Sequence, residues 1–186
     1  MPIKKWKKLS EETIFEHPRL TLIEDTVLLP NGNETKYLRY KRTGHVATII
    51  AIRGDGLILL QREYSHPPNE VLLEFPGGGV PNEEGIAEGA NRELMEECGL
   101  RGDLELIGSY YSENRRTDGK THVFAATNLQ EERLPADAEE FLEHDWYSEE
   151  AIDAMIDSGE IKHAYVLASW TVFKSWRRKN NNNGND

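Results

Sequence analysis

Alternating apolar and polar positions in the first third of the chain predict antiparallel β-strands. Residues 15–29 and 34–42 are two strand-like runs, and residues 30–33 between them contain Asn-Gly, a preferred hairpin turn. Residues 46–52 and 57–61 repeat the pattern around a Gly-Asp-Gly turn. The chain is therefore expected to open as antiparallel sheet.

A helical pattern follows a passage rich in proline and glycine at residues 67–81. In residues 83–98 apolar side chains recur every four positions, which is typical of one buried stripe. Asn82 is a candidate N-cap and Gly99 a candidate C-terminal stop. The pattern further predicts strands at residues 104–111, 121–127 and 143–147, and helices at residues 149–157 and 164–179.

Composition indicates one soluble globular domain. The chain has 186 residues, of which 38% are hydrophobic and 30% charged, and no apolar run approaches the ~20 residues of a membrane helix. A single cysteine, Cys98, excludes an internal disulfide and favours a reducing compartment, so a cytoplasmic location is expected. Cys98 lies on the apolar stripe, which favours a buried inert thiol over a nucleophile.

The net charge of −11 is concentrated in one segment. Residues 131–160 contain twelve acidic side chains against the single Arg133. This balance does not suit nucleic-acid binding, which depends on lysine and arginine neutralising phosphates. The acidic region is either a solvated face or a place for divalent cations.

Three carboxylates share one patch of the predicted helix. Glu93, Glu96 and Glu97 have spacings of three and four, which bring side chains together, and Arg92 supplies a compensating charge. Clustered oxygen ligands suit Mg²⁺ or Mn²⁺. Three consecutive glycines precede the helix within residues 74–81 and allow close approach of the backbone to a ligand. The segment is interpreted as a loop and helix that present a metal to a polyphosphate.

The same residues resemble a known family. Gly78, Glu84 and residues 92–100 reproduce the Nudix box, Gx5Ex7REUxEExGU with U apolar, at every position. Residues 61–64 and 72–78, together with the stretch at 159–170, look like those of ADP-ribose pyrophosphatases of this family.

The resemblance implies an α+β fold, with a Nudix-type α/β/α sandwich around a mixed β-sheet and an N-terminal antiparallel β-hairpin before it. Residues 1–179 would form a single domain, in which residues 1–42 supply dimerising strands and residues 43–179 the catalytic core. Residues 180–186 are expected to be a disordered tail. A homodimer through the N-terminal strands is expected.

The implied activity is metal-dependent hydrolysis of the pyrophosphate bond of nucleoside diphosphate sugars of the ADP-ribose, ADP-glucose or GDP-mannose type. The products would be a nucleoside monophosphate and a sugar phosphate. ADP-ribose hydrolases of this branch typically carry a proline where this chain has Arg115 and Arg116. The dinucleoside polyphosphate branch tends to carry a tyrosine slightly later, where this chain has Thr117 and Asp118. Neither substrate marker is present, so the prediction is nucleoside diphosphate sugars as a class and not ADP-ribose in particular. Two alternatives stay open: a pyrophosphohydrolase that cleanses the nucleoside triphosphate pool, and a non-catalytic module that senses a nucleotide.

The resemblance also implies a metal site. Glu93 and Glu97 would be the principal ligands of Mg²⁺, for which Mn²⁺ can substitute, with Glu96 shared or bound through water. The Gly77 carbonyl would complete the coordination. Arg92 would orient a carboxylate of the cluster.

A carboxylate before the last strand would activate the water. Glu140 is the first candidate for this general base and Glu139 the second, against the alternative that the acidic loop only keeps the protein soluble. Arg62 would contact a phosphate. Arg115 and Arg116 would bind a second phosphate or a sugar hydroxyl, or else form a mobile cationic hairpin tip. The aromatic side chains considered for stacking on the base are those of Tyr64, Phe15 and Trp6.

Overall fold

The structure is a computed structural model that describes residues 2–41, 44–136 and 141–183. The chain divides into two compact units. Unit 1 comprises residues 1–43 and 111–119, and unit 2 comprises residues 44–110 and 120–186. The N-terminal strands belong to unit 1, and the glycine loop and the helix with the glutamates belong to unit 2.

Unit 1 is built on an antiparallel sheet with the order β1-β2-β3. Its strands are β1 (Lys7–His17), β2 (Leu20–Leu28) and β3 (Glu34–Lys41). The predicted turn joins β2 to β3, and Gly32 adopts a φ of 88° in it, a value that favours glycine. The segment 111–119 is attached to β3, because the Tyr40 amide donates to the Arg116 carbonyl at 2.9 Å.

One prediction for this unit is wrong, because residues 15–29 are not a single strand. The chain turns at residues 18–19, so β1 ends at His17 and β2 begins at Leu20. Every residue of β1 is exposed. The strand therefore lacks the apolar alternation that reveals a half-buried strand in a sequence.

Seven further strands follow in the described part of the chain. They are β4 (Gly44–Ala51), β5 (Ile58–Ser65), β6 (Glu70–Glu74), β7 (Gly79–Pro81), β8 (Leu100–Tyr111), β9 (Lys120–Glu131) and β10 (Glu143–Tyr147). The strand orders are β7-β4-β9-β8 and β10-β5-β6. Strands β4 and β9 are parallel, whereas β4 with β7 and β5 with both its neighbours are antiparallel. The four-stranded sheet is thus mixed and the three-stranded sheet is antiparallel. Strands β6 and β7 occupy the passage in which the sequence pattern predicted no strands.

Helices cover both faces of the four-stranded sheet of unit 2. They are α1 (Ile86–Cys98), α2 (Glu149–Asp157) and α3 (Ala164–Asn183). Alternate residues of β4 belong to two separate cores: Ile49 and Ala51 pack with Leu94 of α1, whereas Ile50 packs with Phe173 of α3. Because successive side chains of a strand point to opposite faces, α1 and α3 lie on opposite sides. This confirms the predicted α/β/α sandwich.

Helix α1 begins later than predicted. It starts at Ile86 after Gly85, whose backbone is extended and which has no side chain to cap the helix, so the prediction of Asn82 as N-cap is wrong. The predicted end is confirmed. Gly99 adopts a left-handed φ of 66°, and its amide donates to a carbonyl of the last turn.

Helix α3 extends to Asn183, past the predicted end at residue 179. The segment predicted as a tail therefore begins inside this helix, and its last three residues lie outside the described residues. The Trp170 indole of α3 donates to a carboxylate oxygen of Asp153 on α2 at 2.7 Å. This bond joins the two C-terminal helices.

Candidate active site

The glycine loop lies directly against strand β4. The Ala47 amide donates to the Gly78 carbonyl at 3.0 Å, and the Ile49 amide donates to the Pro76 carbonyl at 2.8 Å. Gly77 has a φ of 146°, and a Cβ there would lie 2.2 Å from the Ala47 carbonyl oxygen. Only glycine fits this position, which agrees with the close backbone approach expected of the loop.

Two carboxylates of α1 meet this loop. The Gly77 amide donates to Glu97 Oε2 at 2.9 Å. Glu93 lies against Gly78 so closely that a Cβ there would be 2.6 Å from its Oε2. Glu93 and Glu97 are four residues apart and so share one side of the helix. The structure thus brings together Gly77, Glu93 and Glu97.

Arg92 organises the remaining carboxylates of the box. Its guanidinium forms ion pairs with Glu96 at 2.7 Å, Glu93 at 2.9 Å and Glu84 at 3.1 Å. The hydrogen bonds to Glu84 are the largest cause of the raised pKa of Arg92, followed by the charges of Glu93 and Glu96. This permanent cation stabilises carboxylates whose spacings would otherwise cause repulsion.

A buried amide also contacts the site, and the sequence reasoning did not assign it a role. Gln61 of β5 is 2% exposed. Its Nε2 donates to Glu97 Oε2 at 3.2 Å, and its Oε1 accepts from the Cys98 thiol at 3.6 Å. Burial is the main cause that raises the pKa of Cys98 to about 12, so the expectation of an inert thiol fits its surroundings. The available signal in the sequence was a polar residue at the end of the apolar run at residues 57–61.

The donor set fits a divalent cation, although the described residues contain no preformed cage. No three His, Cys, Asp or Glu side chains among residues 2–41, 44–136 and 141–183 converge as a metal site. The carboxylates are instead held by Arg92 and the Gly77 amide. Carboxylate and carbonyl oxygens are nevertheless the ligands that Mg²⁺ and Mn²⁺ prefer, and the contact of Glu93 with Gly78 places such oxygens beside the loop.

A cavity of about 160 Å³ adjoins Gly77 on the side facing α3. Glu74 and His163 line it, with Glu74 Oε2 3.4 Å from His163 Nδ1. Burial raises the pKa of Glu74 and lowers that of His163. Both groups therefore resist ionisation, as titratable groups in a partly desolvated cavity do.

The predicted substrate residues are divided between the two units. In unit 2, Arg62 Nη1 donates to the Tyr147 hydroxyl at 3.2 Å, and Tyr64 is about half exposed. In unit 1, a cleft of about 410 Å³ is lined by two tyrosines, three arginines, two neutral polar residues and the acidic Asp118. Residues of this cleft include Tyr37, Arg39, Tyr111, Arg115 and Arg116.

The other predicted residues are either exposed at the surface of unit 1 or lie outside the described residues. Phe15 of unit 1 is 51% exposed and its ring stacks beside His17. Trp6 is equally exposed and meets Tyr37 edge to face. The two candidates for the general base, Glu139 and Glu140, lie outside the described residues.

The class of protein follows from the fold and from this loop-and-helix site, in which Gly78, Glu93 and Glu97 are residues of the Nudix box. Residues 42–170 match the family described as NUDIX domain, and residues 6–37 match the Nucleoside diphosphate sugar hydrolase N-terminal domain. The chain belongs to the Nudix family and is a Nudix hydrolase, an enzyme acting on pyrophosphate bonds.

Two curated relatives and a solved structure are similar to this chain. The chain is 30% identical to the ADP-ribose pyrophosphatase of Bacillus subtilis (strain 168) over 87% of its own length and 90% of that protein. It is 30% identical to the Methanol dehydrogenase activator of Bacillus methanolicus, over 74% and 75% of the two chains. A crystal structure of an ADP compounds hydrolase superposes with a TM-score of 0.87 at 22% identity, covering 97% of this chain and 98% of that one. This last match shows the shared fold.

No helix within the described ranges is both long and apolar enough to span a membrane.

Proposed function

We propose that the protein hydrolyses the pyrophosphate bond of nucleoside diphosphate sugars in the presence of Mg²⁺, with Mn²⁺ as a substitute. The observation that carries the proposal is the contact of Glu93 and Glu97 with the glycine loop. The match of residues 6–37 to a nucleoside diphosphate sugar hydrolase domain and the similarity to an ADP-ribose pyrophosphatase support this substrate class. ADP-ribose, ADP-glucose and GDP-mannose are its candidate members.

Glu93, Glu97 and the Gly77 carbonyl would hold the cation, with Glu96 shared or bound through water. When bound, a divalent cation neutralises phosphate oxygens and makes a water molecule more acidic. The role of Arg92 is to hold Glu93 and Glu96 in position, which its ion pairs with both support.

The reaction adds water across the bridge of the diphosphate. The water oxygen forms a bond to one phosphorus atom while the bond from that phosphorus to the bridging oxygen breaks, which gives a nucleoside monophosphate and a sugar phosphate. Glu140, or Glu139 in its place, takes the proton from the water. Glu140→Gln and Glu139→Gln test this step: one of them should lower kcat at least about 100-fold, and normal rates for both would refute the assignment.

Cationic and aromatic side chains would bind the substrate. Arg62 would contact a phosphate, while Arg115 and Arg116 would bind the second phosphate or a sugar hydroxyl. Arg115 and Arg116 line a cleft with Arg39 and two tyrosines, in which Asp118 is the one acidic lining residue, and this surplus of cations supports recognition of an anion that carries rings. Tyr64 and Phe15 are the aromatic candidates for stacking on the base, and both are exposed.

The N-terminal strands would form a homodimer. Phe15, Leu20 and Leu38 of the unit 1 sheet are each at least 40% exposed, so this sheet offers apolar side chains for a partner subunit to cover. Light scattering should give a dimeric mass for the native chain and a monomeric mass for Leu38→Asp. A dimeric Leu38→Asp variant would contradict this interface. The single cysteine supports a reducing compartment such as the cytoplasm.

A substrate panel tests the activity. Purified protein with Mg²⁺ should release a nucleoside monophosphate from at least one of ADP-ribose, ADP-glucose, GDP-mannose and UDP-glucose, and EDTA should abolish the release. An oxidised dGTP belongs in the same panel. Preferential release of pyrophosphate from that triphosphate, or no product from any sugar nucleotide, would overturn the proposal.

A further inference from the structure

Gln61 is a polar residue at a buried position of β5, where an apolar side chain would be expected. It follows Ile58, Leu59 and Leu60 of β5, all of which are at most 1% exposed, and is itself 2% exposed. Burying an amide is costly unless its donor and acceptor both find partners. The NH₂ group of Gln61 donates to Glu97, and its carbonyl oxygen accepts from Cys98. Both partners lie at the C-terminal end of α1.

These partners fix the orientation of the amide. Oε2 of Glu97 accepts from the Gly77 amide and from Gln61 Nε2, so the NH₂ group of Gln61 faces this carboxylate oxygen. The Cys98 thiol donates to Gln61 Oε1 on the other side. If the amide were turned over, its oxygen would face the Glu97 carboxylate and repel it. The two hydrogen bonds therefore point the same way: Cys98 donates to Gln61, and Gln61 donates to Glu97.

Glu97 receives a second donor on the same oxygen. The Gly77 amide donates to Oε2 at 2.9 Å and Gln61 Nε2 donates to it at 3.2 Å. Two donors from different elements hold one oxygen, and this limits the rotation of the carboxylate. Gln61 is thus the side-chain contact that ties Glu97 to β5, while Gly77 ties it to the loop.

We propose that Gln61 is a positioning residue, which holds Glu97 in the orientation needed to bind the divalent cation. The inference rests on the proposed function, in which Glu97 is a metal ligand. Groups that hydrogen-bond to metal ligands typically change metal affinity or activity about 10–100-fold when they are removed. Gln61 itself touches neither substrate nor cation in this role.

Two variants separate positioning from packing. Gln61→Leu removes both hydrogen bonds and replaces the amide with an apolar side chain of similar size. Gln61→Glu keeps the shape but replaces the donor to Glu97 with an acceptor. A purely structural role predicts that Gln61→Leu, whose apolar side chain suits the buried surroundings, keeps the wild-type Mn²⁺ affinity and changes only Tm, whereas a positioning role predicts a large loss of Mn²⁺ affinity for both variants.

Ile58→Val is the matched control, because Ile58 lies on the same strand and is fully buried but belongs to the core on the α3 side, whereas Cys98 of α1 belongs to the other core. Binding of Mn²⁺ alone, followed by electron paramagnetic resonance of the free ion, is the first readout. The second is kcat and KM for ADP-ribose, and the third is Tm. For both Gln61 variants we expect Mn²⁺ affinity and kcat to fall at least about tenfold with little change in KM. Ile58→Val should lower only Tm.

Wild-type Mn²⁺ affinity in either Gln61 variant would overturn the inference, as would an equal loss of affinity in Ile58→Val or the absence of Mn²⁺ binding by the native protein. Failure of the proposed function gives a different result. In that case the native protein cleaves no sugar nucleotide, yet its Mn²⁺ affinity still falls in Gln61→Leu and Gln61→Glu, and the positioning role stands.

Discussion

Replacing Gly78 by alanine tests whether Glu93 must lie against the glycine loop. A Cβ at Gly78 would be 2.6 Å from Glu93 Oε2 and 2.8 Å from its carboxyl carbon. Ordinary contact begins at 3.4 Å, so the carboxylate must move by about 0.8 Å. The backbone of Gly78 is not in the left-handed region, and alanine adopts its conformation without strain.

The expected effect is a loss of activity with little loss of stability. The atoms displaced are the end of a flexible side chain, so Tm should fall by only a few degrees, corresponding to less than ~1 kcal/mol. A misplacement of nearly 1 Å in a site can cost about 100-fold in rate. We therefore expect Gly78→Ala to lower kcat by about two orders of magnitude, or roughly 2.7 kcal/mol of transition-state stabilisation.

The assay is steady-state hydrolysis of ADP-ribose over a range of Mg²⁺ concentrations, with Tm measured in parallel. Gly79→Ala is the matched control, because a Cβ at Gly79 meets nothing within 4 Å, and it should behave as wild type. A Gly78→Ala protein with normal kcat and normal Mg²⁺ dependence would refute the role of Glu93. A fall in Tm as large as that of a core substitution would refute the argument that only a flexible side chain moves.

Four other predictions follow from the same site. Glu97→Gln should lower kcat by about two to three orders of magnitude, or roughly 3 to 4 kcal/mol, whereas the exposed Glu88→Gln on the same helix should keep the wild-type rate. Gly77→Ala should lower Tm strongly, because its φ of 146° and the 2.2 Å approach of a β4 carbonyl oxygen exclude a side chain; an unchanged melting curve would contradict this. Burial raises the pKa of Glu74, so its contribution to stability is complete below the ordinary value of 4.5 and is lost as pH rises through the folded value. Glu74→Gln should therefore raise Tm at pH 7 and leave it unchanged at pH 4, and an equal shift at both pH values would be inconsistent with this titration. Because its pKa is about 12, compared with 9.0 ordinarily, Cys98 should have about a thousandfold less thiolate at pH 8. Iodoacetamide should then label it only after unfolding in urea, and rapid labelling of the native protein would show that the thiol is accessible.

Several features of the fold were predictable because they depend on local pattern. The apolar stripe of α1 and the stop at Gly99 follow from side-chain period and from the left-handed backbone that glycine permits. The β2–β3 turn follows from its Asn-Gly pair. By contrast, β1 could not be predicted, since its side chains are exposed on both faces and show no alternation.

The start of α1 shows where local signals compete. Asn82 is a good capping residue, yet the helix begins only after Gly85. Glu84, which the prediction placed inside the helix, instead lies before it and binds Arg92 through two hydrogen bonds. The later start of α1 thus coincides with the contact between Glu84 and Arg92, which are eight positions apart in the sequence. Helix preferences of single residues do not include such a contact between side chains.

The sequence by itself determined the family and the chemical groups of the site, because the Nudix box is a run of fixed residues at fixed spacings. Tertiary structure alone decided which groups meet. It placed the Gly77 amide on Glu97, packed Glu93 on Gly78, and brought Gln61 from a distant strand to the same carboxylate. The physical reason is that spacing along a helix fixes which side chains share a face, whereas a partner from another strand is selected only when the sheet packs against that face.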